Sequence, residues 1–423
     1  MAEQQLQSDT TLNVKVKKIT IIAKAKGETV NFVVNDLNSL TIVEDIFSPM
    51  LGAKLIIYDK LRLFSTFQFT GNETVEITLA STMTKYEIKL GFVITNYELI
   101  GSKGEEQLSV SFDLISDNWK YFIEERSLSF NKNKWNNIAE FIQKYAIENL
   151  KFKNVNIDKV DSSDLVPSSI AFPYMTFMDM LKIINQYYLD SDKRNYFLFY
   201  TNLMSNNKLN PNGPYATFTT FSSLINNSPS SLLIENEREM AMKNNIVFHK
   251  YNLLTPHFMG SKKIKGLGST QLYFDHKTKE IIKREVGYES TISKLPSLTN
   301  YSLFEKEYSN TKENFIYSAK KDFTPELSII ENNILNCTGF SVSVLGLLER
   351  TIGQVCTVRF KDKIRNLNTH EQLKGNYLIK SITHYFDNSK YQQIITLIRD
   401  GLNYQNNDGL IKLTKVNNKE IEA

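Results

Sequence analysis

The stretch Gly375-Asn-Tyr-Leu-Ile-Lys-Ser-Ile-Thr-His-Tyr-Phe386, with Tyr391-Gln-Gln-Ile-Ile-Thr-Leu-Ile-Arg-Asp400 just beyond it, decides how this chain folds. It reads as two β-strands rich in Ile, Tyr, Phe and Thr, joined by a polar turn over Asp387 to Lys390. Alternation puts Leu378, Ile382 and Phe386 on one face and Tyr377, Ile379 and Tyr385 on the other, so neither face is purely polar. A strand that is apolar on both faces is covered on both. One cover is its own core; for a hairpin near the end of the chain, a neighbouring subunit is expected to be the other. That pattern points to a component of an assembly rather than a free-standing enzyme.

Outward from the hairpin, a second β region occupies residues 12 to 126. Leu61, Leu63, Phe67 and Phe69 alternate with polar residues, as do Val75, Ile77 and Leu79, then Tyr86, Ile88, Leu90, Phe92 and Ile94, then Leu108, Val110, Phe112 and Leu114. Turn residues at Gly71-Asn72 and Gly101 to Gly104 separate these runs, the spacing of an antiparallel barrel or sandwich. Helical spacing takes over at Trp135, Ile138, Ile142, Tyr145 and Ala146, with Asn131 or Asn133 as a cap. A second helix starts at Thr176, with Asp179 three residues on in a capping-box arrangement, and buries Phe177, Met180, Leu181, Ile184 and Tyr188. Strands over Tyr196 to Tyr200 and Tyr215 to Phe221 complete a small α/β unit, and residues 222 to 236 read as a surface loop. From there to about residue 325 the pattern is weak, with extended stretches at Asn245 to Leu253 and Thr270 to Phe274. Strong β signal returns at Phe340, Val342 and Val344, and again at Val355 to Phe360.

The fold class is therefore α+β, mainly β: two antiparallel β domains, each a barrel or sandwich, with an inserted small α/β domain; that both are antiparallel β-barrel domains is what the resemblance given below implies. The expected division is a first barrel at 1–130, the insert at 131–235, and a connecting region at 236–325 that contributes strands. A second barrel at 326–404 and a tail at 405–423 follow.

Composition excludes several function classes. With 50 Lys plus Arg against 46 Asp plus Glu, the formal charge of +4 is nearly neutral over this length and gives no support to a nucleic-acid stripe, although a local basic face is open. Lys15, Lys17, Lys18, Lys24 and Lys26 alternate with Val and Ile and read as the wet side of a strand. Cys337 and Cys356, the two cysteines, lie in separate predicted strands and read as buried packing residues, although a pairing is open to them. Residues 1 to 10 are polar with no secretory pattern, and no apolar run nears the ~20 residues that cross a bilayer. A chain made in the cytoplasm, with no membrane insertion of its own, is expected.

A search for chemistry returns nothing catalytic. The five histidines, His249, His257, His276, His370 and His384, stand singly, without another His or Cys at metal-ligand spacing. Gly266-Leu-Gly268-Ser-Thr270 precedes an extended stretch, so it lacks the helix N-terminus of a phosphate cradle and reads as a turn. Glu73 with Glu76, or Glu44 with Asp45, supply carboxylate pairs of glycosidase type. Glu73 falls in a turn and Glu76 on a polar strand face, which is the plainer reading. Glu235, Glu237, Arg238 and Glu239 form a solvated mixed-charge segment. No catalytic, cofactor-binding or metal site is expected.

Particular segments resemble the baseplate hub proteins of tailed bacteriophages, related to the hub portion of VgrG spike proteins. They are Ile42-Val-Glu-Asp-Ile-Phe-Ser-Pro-Met-Leu-Gly-Ala-Lys-Leu-Ile-Ile-Tyr-Asp59, Phe69 to Leu79, Trp135 to Leu150, and Ile170-Ala-Phe-Pro-Tyr-Met-Thr-Phe-Met-Asp-Met-Leu181. The closing hairpin, Gly375 to Leu402, matches best. The resemblance spans most of residues 12 to 402 and is weakest from about 240 to 325. It implies two barrels similar to the tail-tube fold in each subunit, and a homotrimer that sets six of them in a ring through heterologous contacts. Such a ring adapts a sixfold tail tube to a threefold spike around a central channel. The implied partners are the tail tube protein, a separate central spike or needle protein, other baseplate proteins and the tape-measure protein. The implied location is the virion tail baseplate, after assembly in the host cytoplasm. Residues Ile42, Phe47, Pro49, Met50 and Leu51, apolar in a connection, are the expected assembly surface; the alternative is that they cap the barrel core. Three other readings stand beside the hub: a hexameric distal tail or tube-initiator protein, a cell-wall hydrolase or carbohydrate-binding β protein, and an oligonucleotide-binding barrel.

Overall fold

The computed structural model describes residues 14–23, 28–32, 36–60, 69–71, 73–81, 87–101, 108–131, 133–158, 169–188, 197–205, 208–209, 213–226, 233–235, 246–254, 269–275, 278–286, 301–302, 315–318, 338–346, 350–359, 373–387, 390–399 and 401–402. The first strands are β1 (Val14–Ala23), β2 (Glu28–Phe32), β3 (Leu37–Asp45), β4 (Gly52–Tyr58), β5 (Thr74–Ser81), β6 (Glu87–Ile100) and β7 (Ser109–Ser116). Next come α1 (Trp119–Ile123), β8 (Arg126–Asn131), α2 (Ile138–Glu148), β9 (Val155–Asp158), β10 (Ser169–Met175), α3 (Phe177–Tyr187) and β11 (Phe197–Asn202). They are followed by β12 (Met204–Ser205), β13 (Lys208–Leu209), β14 (Tyr215–Thr220), α4 (Phe221–Asn226), β15 (Leu233–Glu235), β16 (Ile246–Leu254), β17 (Ser269–Asp275) and β18 (Glu280–Val286). The last are β19 (Tyr301–Ser302), β20 (Phe315–Ser318), β21 (Thr338–Leu345), β22 (Val355–Arg359), β23 (Gly375–Phe386), β24 (Tyr391–Arg399) and β25 (Gly401–Leu402).

The first β module is a seven-strand antiparallel sheet in the order β2-β1-β5-β6-β7-β4-β3. Its alternation is the one written in the sequence: Leu55 and Ile57, Val75, Ile77 and Leu79, Ile88, Leu90 and Phe92, and Val110 and Phe112 all enter one core. Lys54, Glu76 and Lys89 point to solvent. Lys15, Lys17 and Lys18 are exposed on β1, and Lys17 pairs with Glu87, so the wet-face reading holds for these three. Lys24 and Lys26, most of the run Leu61 to Phe69, Cys337 and the tail beyond 402 lie outside the described residues. Phe69 is described, and its ring meets those of Tyr97 and Phe112 at 4.9 and 5.5 Å.

The second module closes on itself: β23-β22-β15-β16-β21-β24, with β24 returning to β23. Pairing is antiparallel except at β15, which runs parallel to both neighbours. One strand serves both modules. Residues 375 to 378 of β23 pair with β22, and 381 to 386 pair with β3 of the first sheet. A register break in the β23–β24 ladder, between Ile379 and Ser381, falls where the partner changes. A bulge bends a strand and shifts which residues face inward. Before it Tyr377, Leu378 and Ile379 are all buried; after it Ile382, His384 and Phe386 are.

This corrects the expectation that a neighbouring subunit covers the second face of the hairpin. The second core contains Tyr377, Leu378, Ile379 and Ile382 together with Leu198 and Tyr200 of β11 and Phe221, Leu224 and Ile225 of α4. Phe386 belongs to the first core. For these residues both covers come from the same chain, whereas Tyr385 stays half-buried and belongs to none of the three cores.

The α/β unit has its own core, rich in aromatic rings from Phe130, Phe141, Phe172, Phe177 and Phe199. It holds the pair β8–β10 and the sheet β11-β14-β9, in which β9 and β14 are parallel. Asn137, not Asn131 or Asn133, caps α2, its side chain accepting from the Glu140 N–H at 2.7 Å. The Thr176 cap of α3 is as expected: its hydroxyl accepts from the Asp179 N–H at 3.3 Å and donates to the Asp179 carboxylate at 2.8 Å. Residues 222 to 236 are not simply a surface loop. Phe221 to Ile225 form most of α4, all buried, and 233 to 235 form β15, because Phe221, Leu224 and Ile225 have apolar surface to bury against the second barrel.

Gly339 marks a close backbone approach in the barrel: a Cβ there would sit 2.1 Å from the Leu397 carbonyl oxygen. Gly52 has no atom within 4 Å of the equivalent position. Gly339→Ala should therefore lower stability by about 1–3 kcal/mol in urea unfolding, whereas Gly52→Ala should stay within about 0.5 kcal/mol of wild type.

Candidate functional site

The segment from Ile42 to Leu51 threads the point where the three cores meet. Ile42 and Leu51 are buried in the first core, Ile46 in the second; Phe47 packs against the second and Met50 against the third. Pro49 is buried, and its carbonyl accepts from the Thr201 hydroxyl at 2.7 Å. The turn is held locally: the Asp45 carboxylate accepts from the Phe47 N–H at 2.8 Å, and the Ser48 hydroxyl donates to the Met50 carbonyl at 2.8 Å. Burial pushes the Asp45 carboxyl above its ordinary value, against the opposing pull of the Phe47 N–H and the Lys380 charge. Of the five residues expected at an assembly surface, only Phe47 and Met50 keep part of their surface; the other three are spent on contacts within one chain.

Beside this joint lies a buried chain of polar groups drawn from five places. The Leu203 N–H, just past β11, donates to Glu44 Oε1 on β3 at 2.5 Å. Glu44 Oε2 is 3.5 Å from His384 Nε2 on β23. His384 Nδ1 is 2.8 Å from the Tyr391 hydroxyl, which accepts from Gln393 Nε2 at 2.9 Å. Gln393 Oε1 accepts from Arg350 at 2.5 Å, and the same guanidinium nitrogen donates to the Leu345 carbonyl at 2.9 Å. Elementary donor counting orients the Arg350 end of the chain. Arg350 has donors only, so Gln393 must turn its oxygen there and its amide nitrogen to Tyr391. Tyr391 meets His384 at Nδ1, and the other ring nitrogen, Nε2, is turned toward Glu44. Burial pushes the Tyr391 phenol well up, so its proton stays in place. Burial also pulls Arg350 down to about 10, which leaves it charged at neutral pH. The Phe386 and Tyr391 rings stack at 4.4 Å and cover the chain from one side.

A carboxylate, an imidazole and a hydroxyl in series have the order of an acid–base relay. Access is what separates this one from an active site. Glu44 and His384 are 1% exposed and Tyr391 5%, so no substrate reaches the hydroxyl. The arrangement ties β3, β23, β24 and the α/β unit together. The carboxylate pairs read as glycosidase candidates are likewise taken apart. Glu44 turns inward to His384 while Asp45 serves the turn; Glu73 is buried and Glu76 is exposed. Burial pushes the Glu73 carboxyl up, but hydrogen bonds from the Thr70 N–H, the Thr70 hydroxyl and the Gly71 N–H outweigh it and hold the group below its ordinary value.

Cys356 is a free thiol in the second core, pushed up to about 12 by burial and therefore unreactive. Among the described residues no three His, Cys, Asp or Glu side chains are grouped to hold a metal. Among the same residues no helix is long and apolar enough to cross a membrane. Of the other histidines, His249 lies in β16, and His257, His276 and His370 fall outside the described residues, as does the loop through Gly266 and Gly268.

Sequence reading missed Arg350, Tyr391 and Gln393 as a group. A signal existed: His384 shares its strand phase with Ile382 and Phe386, and Gln393 shares that of Tyr391 and Ile395, so both are polar residues at core-facing positions.

This architecture has known counterparts. No protein-family model matches the sequence, and no curated protein matches it. By structure the chain is similar to the tail protein from Neisseria meningitidis MC58, with a TM-score of 0.52 and 12% identity over 91% of this chain and 97% of that one. It is also similar to the 43 kDa tail protein of prophage MuSo2 from Shewanella oneidensis, with a TM-score of 0.51 and 10% identity over 90% and 98%. The chain shares the fold of these two tail proteins.

Two outcomes follow for stability. Glu44→Ala strands the Leu203 N–H and His384 in the interior and should cost about 3 kcal/mol in urea unfolding, with Glu44→Gln costing less because an acceptor remains. Glu73 has a folded pKa below its ordinary 4.5, so its stabilisation is complete above that pH and is lost as pH falls through the folded value. Glu73→Gln should be about 1–2 kcal/mol less stable than wild type at pH 7, and the gap should narrow as pH falls below 4.5 and through the lower folded value.

Proposed function

We propose that this chain is a structural hub protein of a bacteriophage tail baseplate. Three copies form a ring around a central channel and adapt the sixfold tail tube to a threefold central spike. The observation that carries this reading is the sharing of β23: one chain holds two β modules side by side in a continuous thirteen-strand sheet. Three such chains supply six modules, the number a sixfold tube presents, with threefold symmetry retained. The tail-protein fold supports it, as does the sealing of the one acid–base chain described, which fits a role without catalysis.

The partners that follow are the tail tube ring, a separate spike or needle protein, other baseplate proteins and the tape-measure protein. The place is the virion tail, reached by assembly in the host cytoplasm. Surface for such contacts exists at the far end of β6 and β7, where Tyr97, Leu99, Ile100 and Leu108 are exposed apolar residues at a sheet edge that β5 no longer pairs. Phe47, half-buried beside the joint, is a second contribution.

Light scattering of the purified chain gives the test. A particle of three copies of the 48.8 kDa chain is expected. A monomer at all concentrations, or a stable hexamer, would overturn the reading.

A further inference from the structure

The α/β unit carries a cleft of about 480 Å³ that shares no lining residue with the buried joint and falls within the size range of sites that take a few side chains. One wall is formed by three consecutive residues of β8, 127 to 129. Consecutive strand residues point to opposite faces, so a cleft that touches all three reaches the strand's backbone edge, and it also extends to Ala171 on the neighbouring β10. On its other side β8 pairs with β10, and among the described residues this sheet has no third strand. In an antiparallel pair every second residue turns its N–H and C=O outward, here toward the cleft.

The two edges of this small sheet differ. The β10 edge is blunted by Pro173 and by a register break between Phe172 and Met175, the usual protection against a further strand. The β8 edge, Arg-Ser-Leu-Ser-Phe-Asn, contains neither. The floor adds a second observation. Trp135 lines the cleft at 9% exposure, and its indole N–H, a donor only, has no acceptor among the described residues. That nitrogen itself has almost no exposed surface, so the indole serves the cleft as an apolar wall rather than as a hydrogen-bond donor.

Charge selects the occupant. Lys134 and Lys144 place their ammonium groups 5.3 and 5.1 Å from the Trp135 ring. The one carboxylate lining the cleft, Glu148, lies 3.7 Å from Lys144. Lys134 is left without a carboxylate among the described residues. We propose that the cleft is a docking site for an extended, acidic segment of a partner protein. The segment adds as a third strand along β8 and sets a carboxylate beside Lys134 and Lys144. The proposal rests on this local geometry and is independent of the oligomeric state.

The test uses the full chain and a fluorescein-labelled peptide of six residues alternating glutamate and valine, with a lysine–valine peptide as its opposite. Anisotropy reports binding, and hydrogen–deuterium exchange reports where. The acidic peptide should bind and slow exchange at residues 127 to 129. The basic peptide, and the double variant Lys134→Glu with Lys144→Glu, should each weaken binding at least about tenfold. Lys182→Glu, exposed on α3 outside the cleft, should leave binding unchanged. Both substituted lysines are exposed, so the variants should fold, as circular dichroism would show. Absence of binding, equal binding of the two peptides, or slowed exchange elsewhere with none at 127 to 129 would overturn the proposal.

Discussion

β23 has two hydrogen-bonding partners along a single edge, β22 for its first residues and β3 for its last, and most of the architecture follows from that division. Left alone, β3 would be an open sheet edge and the first module would end in a row of unpaired amides. Pairing residues 381 to 386 with β3 removes that edge and fixes the two modules relative to each other. The bulge near Lys380 lets one strand do both, by changing which side chains face inward where the partner changes. Burial on both sides then makes each module depend on the other: Phe386 and Tyr391 fill the first core from strands of the second barrel, and Ile46 enters the second from the first. Each such side chain contributes about 1.5–3 kcal/mol, so separating the modules would be expensive.

The polar chain through Glu44, His384, Tyr391, Gln393 and Arg350 adds a different property. Polar groups buried this deeply destabilise unless they are paired, so the chain favours the alignment that pairs most of them, although His384 Nε2 and Arg350 Nε make no hydrogen bond of their own. A slip of one residue between β3 and β23 would turn His384 outward and leave Glu44 in the interior without its partner. Apolar side chains at the same positions would tolerate such a slip far better.

The sequence made the strands legible because the first module alternates cleanly and because Thr176 with Asp179 spells a helix start. Loss of legibility has specific physical causes. At Tyr377-Leu378-Ile379 a bulge breaks the period of two, and a pattern caused by a change of partner within one chain imitates a subunit contact. At 222 to 226 serines and asparagine suggest a loop, but tertiary packing of Phe221, Leu224 and Ile225 imposes a helix. The apolar connection from Phe47 to Leu51 was visible as such; that it faces three cores at once depends on contacts far apart in sequence, such as Thr201 with Pro49. His384 and Gln393 stood in core-facing phase, yet their partners come from other strands and a loop, and no spacing rule links them.

Native-state hydrogen exchange at residues 381 to 386 addresses the shared strand most directly. If β23 welds the two modules into one cooperative unit, the paired amides of this segment and of β3 open only with the whole protein, at the same free energy as those of Ile395 to Ile398. Exchange of the β3–β23 ladder at a distinctly lower free energy, with each module unfolding in its own transition, would contradict it.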